Sequence, residues 1–105
     1  MYKFTLNEGY VYFEPLLKGL KVDKPYLKVI DCMICIPKGY SWNGCTLAPD
    51  FKSTYYASLV HDALYQYKVN RKLADRVFYN ILKEHGFKGA KLYYLGTRIF
   101  GNLFY

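Results

Sequence analysis

Two short motifs hold the residues best suited to chemistry: Ala57-x-x-x-His61-Asp62-x-x-Tyr65 and Ala74-Asp75-x-x-Phe78. His61 stands beside an aspartate in an otherwise apolar stretch, and the second motif follows after a short polar turn. Burying an imidazole and a carboxylate is unfavourable unless they pair. The motifs therefore read either as a satisfied structural knot or as an active site. In the second case, a carboxylate bonded to imidazole fixes its tautomer and supports its protonated form. That makes a general base able to activate water, with His61, Asp75 and Tyr65 as the candidate catalytic residues. In the first case, the same His–Asp–Tyr network simply ties two helices together. Asp62 reads equally as an exposed helix residue, and Arg76 or Arg98 could neutralise either aspartate. His85, beside Gly86, suits a helix C-terminus and its dipole, and is assigned no catalytic role.

The elements that must position these residues follow from pattern. Ser53 or Thr54 can cap a helix running to about Lys68. Asn70 can cap a second from Arg71 to His85, closed by Gly86. Its Ala74, Val77, Phe78, Ile81 and Leu82 recur at i, i+3 and i+4 spacing, a core-facing stripe. Joined by roughly two residues, the two helices should pack antiparallel. His61 lies about eight residues before the turn centre and Asp75 about six after it, a difference in level of only ~3 Å, so facing side chains can meet. His61 and Tyr65 share one face at i and i+4, and Asp62, rotated by about 100°, faces the loop at 39–52.

A third helix, about Lys88 to Asn102, places Lys88, Lys91, Arg98 and Asn102 on one side and Leu92, Tyr93, Gly96, Ile99 and Phe100 on the other. Its apolar side is expected to dock on the domain's own core; an interfacial membrane helix is the alternative. Gly89, Gly96 and Gly101 lower its helicity and permit close packing on a neighbour.

Residues 2–36 read as strands, with alternation at Tyr2-x-Phe4-x-Leu6 and aromatic or β-branched runs at 10–13 and 26–36. Asn7-Glu8-Gly9 is expected to turn a hairpin between the first two. Lys18-Gly19 and Asp23-Lys24-Pro25 read as turns, and Asp31 as a bend dividing 26–36 into two short strands. Pro37-Lys38-Gly39 ends this portion, and residues 39–52 form a loop holding the single tryptophan, Trp42. The expected organisation is one α+β domain over 1–105: β-rich to residue 38, a loop over 39–52, and a helical part over 53–105. A small N-terminal antiparallel sheet packs against three C-terminal helices.

Composition sets the outer bounds. The chain of 105 residues is 52% hydrophobic and 20% aromatic, with 13 tyrosines, enough for a modest core without disulfides. Its net charge of +7 favours anionic partners such as nucleic acid, lipid headgroups or an acidic protein, but a solvated lysine-rich surface explains it as well. No nucleic-acid recognition motif accompanies the charge. The sequence shows no signal peptide and no transmembrane run, so residence in a cytoplasm is expected. Cys32, Cys35 and Cys45 make an odd number and do not suggest a secreted disulfide framework. Cys32-Met33-Ile34-Cys35 lies in a strand-like run, away from the helix N-terminus a redox pair needs. Small buried hydrophobes are the preferred reading; zinc held by these cysteines and His61 is the lesser one.

The ordered motifs resemble an uncharacterised family of short phage and prophage proteins. They appear here as Ile36-Pro37-Lys38-Gly39-Tyr40, Trp42-Asn43-Gly44-Cys45-Thr46-Leu47-Ala48-Pro49, the two opening motifs, and Arg98-Ile99-Phe100-Gly101. Asn43 stands where many members carry Asp. This resemblance implies a phage-encoded accessory protein and no established activity. His-Asp-x-x-Tyr on one helix and Ala-Asp-x-x-Phe on the next also resemble the phospholipase A2 superfamily, particularly its short viral form. That resemblance implies that His61 activates water, Asp75 orients His61, and Tyr65 bonds to Asp75. It also implies that Asp62 binds Ca²⁺ with carbonyls of an upstream loop at Gly44 and Asn43. Phospholipid or another anionic surface is then the expected partner. The rival expectation is a non-enzymatic module that binds a virion or host protein through its tyrosine-rich surface, with the His–Asp–Tyr cluster structural.

Overall fold

The structure, a computed structural model, describes residues 2–45 and 49–101. The fold class is α+β, with two antiparallel sheets in the N-terminal half and three helices in the C-terminal half. The chain divides into two compact units, residues 1–43 and 44–105. The Thr46, Leu47 and Ala48 positions of the loop motif lie outside the described residues.

The first unit holds β1 (Phe4–Thr5), β2 (Tyr10–Phe13), β3 (Val22–Lys24), β4 (Leu27–Ile30), β5 (Met33–Ile36) and β6 (Ser41–Trp42). Strands β2-β5-β4-β3 form one sheet and β1-β6 the other. Tyr12 faces Ile34, which faces Val29, so Leu27, Val29, Ile34 and Ile36 share one buried face. Asp31 and Cys32 connect β4 to β5, both with positive φ (50° and 68°). A two-residue hairpin whose central residues both have positive φ matches the right-handed strand twist, which accounts for the expected division at Asp31.

Three local expectations are corrected. Asn7-Glu8-Gly9 does not turn a β1–β2 hairpin: β1 pairs with β6 and β2 with β5. Pairing with β6 sets the Phe4 ring 5.3 Å from that of Trp42, an aromatic contact that outweighs the local turn preference. Asp23 and Lys24 lie in β3, where Asp23 pairs across the ladder with Lys28 at 2.7 Å. Residues 39–52 are not wholly loop, because β6 falls within them. The three cysteines are free and half-buried. Cys32 occupies the β4–β5 turn, and Cys35 points to the less buried face of β5, so neither is a core residue.

The second unit contains α1 (Tyr55–Gln66), α2 (Arg71–Glu84) and α3 (Ala90–Phe100). Asn70 caps α2, its side chain accepting the Leu73 N–H at 3.0 Å. Gly86, at φ 72°, ends α2, with Phe87 N–H donating back to Leu82 O at 3.0 Å. Lys68 plays the same part after α1, at φ 57°, with Val69 N–H donating to Leu64 O at 2.9 Å. The expected stripe of α2 is buried, and Asp75 is buried with it. In α1 the buried residues run from Ala57 to Leu64 with the exception of Asp62, and Tyr65 joins them. The apolar side of α3 is not buried: Leu92, Ile99 and Phe100 are exposed, and Ala90 is the helix's buried residue. Its inner side is taken by small, aromatic and backbone contacts instead. No helix among the described residues is long and apolar enough to cross a membrane.

Candidate functional site

Antiparallel packing of α1 on α2 brings His61, Tyr65 and Asp75 together. Asp75 is fully buried, and its Oδ1 lies 2.7 Å from His61 Nε2. The Tyr65 hydroxyl donates to the same oxygen. The other oxygen, Oδ2, accepts from Arg98 Nη1 at 2.7 Å and faces Arg71 Nη1 at 3.5 Å. Four side chains from α1, α2 and α3 thus converge on one carboxylate. The His61 ring is wedged between the rings of Tyr65 (4.1 Å) and Phe78 (4.7 Å).

Arg71 has a second task. Its Nη1 donates to Thr97 O at 2.9 Å and its Nη2 to Arg98 O at 3.2 Å, so one guanidinium holds the start of α2 to late carbonyls of α3. Gly101 makes this approach possible. A Cβ there would stand 2.5 Å from Arg71 Nη1 and 2.6 Å from the Tyr65 hydroxyl oxygen.

Electrostatics fix the protonation states. Burial holds the His61 imidazole below the usual histidine value, overcoming the upward pull of Asp75, while Arg71 pushes in the same direction as burial. Burial alone would raise the Asp75 carboxyl, but hydrogen bonds from His61 and Tyr65, with the further bond from Arg98, bring it below the usual aspartate value. The Tyr65 hydroxyl is raised, first by burial and then by its bond to Asp75. At neutral pH the set is a neutral imidazole, an ionised carboxylate and a protonated phenol.

A carboxylate only accepts, so His61 Nε2 carries the proton it shares with Asp75, and Nδ1 is left with the lone pair. Among the described residues no buried side-chain nitrogen or oxygen lacks a hydrogen-bond partner. His61 has its hydrogen bond through Nε2, and its side chain is 11% exposed. The basic Nδ1 therefore belongs to the edge of the ring that solvent reaches.

The remaining candidates, Asp62, Asn43 and Gly44, are not among the hydrogen-bond partners of Asp75. Asp62 is half-buried. Asn43 Oδ1 accepts the Lys3 N–H at 3.2 Å. Gly44, at φ 82°, takes a backbone conformation that favours glycine. Of the two arginines proposed to neutralise an aspartate, Arg98 does so at Asp75. Arg76 instead lies over the rings of Tyr79 and Tyr94, at 5.0 and 6.0 Å. His85 caps the end of α2 and stacks on Tyr56 at 6.0 Å. Sequence reasoning missed Arg71, although its i, i+4 spacing to Asp75 on a helix was a usable signal.

An α+β chain with a buried, side-chain-satisfied His–Asp–Tyr cluster defines the structural class. Residues 4–96 match the family described as Protein of unknown function (DUF1353), and the chain belongs to that family. Comparison with curated proteins and with solved structures gave no match.

Proposed function

We propose that this chain is a small phage-encoded accessory hydrolase in which His61 acts as general base on water. The observation that carries this reading is the division of labour at His61. Nε2 is committed to a buried carboxylate at 2.7 Å, and Nδ1 is left basic at the solvent-reached edge. Asp75 holds the ring and its tautomer, and Tyr65, bonded to the same oxygen, positions Asp75. Water attacks an ester carbonyl while Nδ1 takes its proton, and the carbonyl π pair moves onto oxygen. Collapse of this intermediate breaks the ester C–O bond, and Nδ1 returns the proton to the leaving alcohol oxygen, the transient imidazolium being stabilised through Nε2 by Asp75. The low basicity of His61 keeps the nitrogen free of a proton at neutral pH. The net charge of +7 and the resemblance to phospholipases A2 support an anionic ester such as a phospholipid as substrate.

The residues assigned to Ca²⁺ do not make a strong donor set for it. Ca²⁺ takes six to eight oxygen ligands. Here Asp62 supplies the one carboxylate, and Asn43 Oδ1 already accepts a backbone N–H. The proposed step therefore runs through no metal.

Hydrolysis of a fluorogenic phospholipid by the purified chain tests the reading. His61→Gln should lower the rate by about 10²–10⁴-fold while the protein still unfolds cooperatively, and chelation of Ca²⁺ should change nothing. The acid limb of the wild-type rate should fall below pH 6.5, the ordinary histidine value. Absence of esterase activity in the wild type, or an unchanged rate in the variant, overturns it.

A second reading rests on the number of donors at Asp75. Two guanidiniums are more than an orienting carboxylate requires, and they join three helices. In that reading the cluster is structural and the chain is a virion component or binds a host protein. His61→Gln then lowers stability by about 1 kcal/mol or more and leaves partner binding intact in the folded fraction.

A further inference from the structure

The outer face of α3 carries apolar side chains that nothing in the helical unit covers. Leu92 is 72% exposed, Leu95 44% and Ile99 67%. At i, i+3 and i+7 these three form a single stripe along the helix. The opposite side is occupied: Ala90 is buried, Tyr94 tilts onto Tyr79 at 5.2 Å, and the carbonyls of Thr97 and Arg98 accept from Arg71. The Tyr93 hydroxyl donates to Pro49 O at 2.7 Å. These contacts fix the rotation of α3, so the stripe cannot turn inward. A contiguous exposed apolar patch of this kind marks an interaction surface.

Charge identifies what covers it. No Asp or Glu occurs from Gly86 to Tyr105, whereas Lys88, Lys91 and Arg98 do. Arg98 is committed to Asp75. Lys88 and Lys91 are exposed, and neither makes an ion pair among the described residues. A second copy docked through the same face would match cation to cation. An anionic bilayer satisfies both features, because it takes apolar side chains at the headgroup–acyl boundary and lysines at the headgroups.

We propose that α3 is a membrane-docking helix that seats this chain on an anionic lipid surface. Leu92, Leu95 and Ile99 enter the interface, and Lys88 and Lys91 contact headgroups. The helix lies in the plane of the surface; its 11 residues are too few to span a bilayer. The inference does not depend on hydrolysis at His61.

Cosedimentation of the full chain with lipid vesicles tests it. The protein should pellet with phosphatidylcholine vesicles containing phosphatidylglycerol and stay in solution with phosphatidylcholine alone, and added salt should weaken binding. Leu92→Asp with Ile99→Asp should lower the partition coefficient by about tenfold or more without moving the melting temperature, because both side chains are exposed. Lys88→Glu with Lys91→Glu should lower it through charge alone. His61→Gln should bind like the wild type, which separates this inference from the hydrolytic reading. Absence of binding to anionic vesicles, or binding unchanged in both double variants, overturns it. So does a dimer that the Leu92 and Ile99 substitutions dissolve, found without vesicle binding; the stripe is then a self-association face.

Discussion

Each unit of this molecule buries a carboxylate, and the two are satisfied in different currencies. Glu14, 3% exposed in the sheet unit, accepts the N–H of Leu16 at 3.1 Å and caps the 3-10 turn Pro15–Leu17. Its own N–H donates to Cys32 O at 2.8 Å. Asp75, fully buried in the helical unit, accepts from His61, Tyr65, Arg71 and Arg98. A cap on a backbone N–H shapes the chain locally. A carboxylate held by titratable side chains fixes their protonation states as well as their positions. The difference locates the candidate chemistry at Asp75 and leaves Glu14 as architecture.

Removing the charge without changing the shape breaks the comparison at its stronger end. Asp75→Asn leaves two guanidiniums facing an amide in a closed site. Breaking a buried pair in this way is expected to destabilise by about 3–5 kcal/mol, read from the urea midpoint. A loss below about 1 kcal/mol would mean that the arginines find solvent instead, and that Asp75 is no more than a cap. Gly101→Ala should come next. Its Cβ would meet Arg71 Nη1 at 2.5 Å and the Tyr65 hydroxyl oxygen at 2.6 Å, and overpacking of this kind destabilises by about 1–3 kcal/mol. Thermal melting of Gly101→Ala beside Gly96→Ala checks it, because a Cβ at Gly96 meets nothing within 4 Å.

The helical unit was far more legible than the sheet unit, for a physical reason. Helical contacts between neighbours follow from a fixed rise and a short link, so the meeting of His61 with Asp75 could be derived from turn position alone. Strand pairing has no such ruler. Asn7-Glu8-Gly9 has good turn chemistry, yet β1 is drawn instead to the distant β6 by the Phe4–Trp42 contact. The i, i+4 spacing of Arg71 to Asp75 was readable and went unread. Its reach to the Thr97 and Arg98 carbonyls was not readable, because it depends on where α3 ends against α2. The exposure of Leu92 and Ile99 was hidden for a related reason: an amphipathic pattern shows which side is apolar, but not which side the neighbour takes.

A pH titration sharpens the comparison by asking whether the Asp75 carboxylate is coupled to His61. The folded values of both His61 and Asp75 lie below their ordinary values of 6.5 and 3.8. The folded state therefore binds fewer protons than the unfolded one, and stability falls as pH falls. The His61 contribution is complete above pH 6.5 and is lost progressively below it, down through the folded value. The Asp75 contribution follows in the same direction below 3.8. One proton changes stability by at most about 1.4 kcal/mol per pH unit. Urea unfolding between pH 7 and 5 should show this slope, and His61→Gln should flatten it. A slope that persists in the variant would assign it to other groups and detach the imidazole from the network.

The smallest effect belongs to Glu14. Glu14→Gln keeps a side-chain oxygen that can accept the Leu16 N–H, and the backbone bond to Cys32 O does not involve the side chain. Because the bond to the Leu16 N–H is kept, the change should cost about 1 kcal/mol, less than Asp75→Asn. The same isosteric change thus separates the two carboxylates: large at Asp75, which faces two guanidiniums, and smaller at Glu14, where the backbone cap survives. Equal losses in paired urea titrations of Asp75→Asn and Glu14→Gln would show that burial, not the identity of the donors, governs both sites. The distinction between architecture and candidate chemistry would then have to rest on the open Nδ1 of His61 alone.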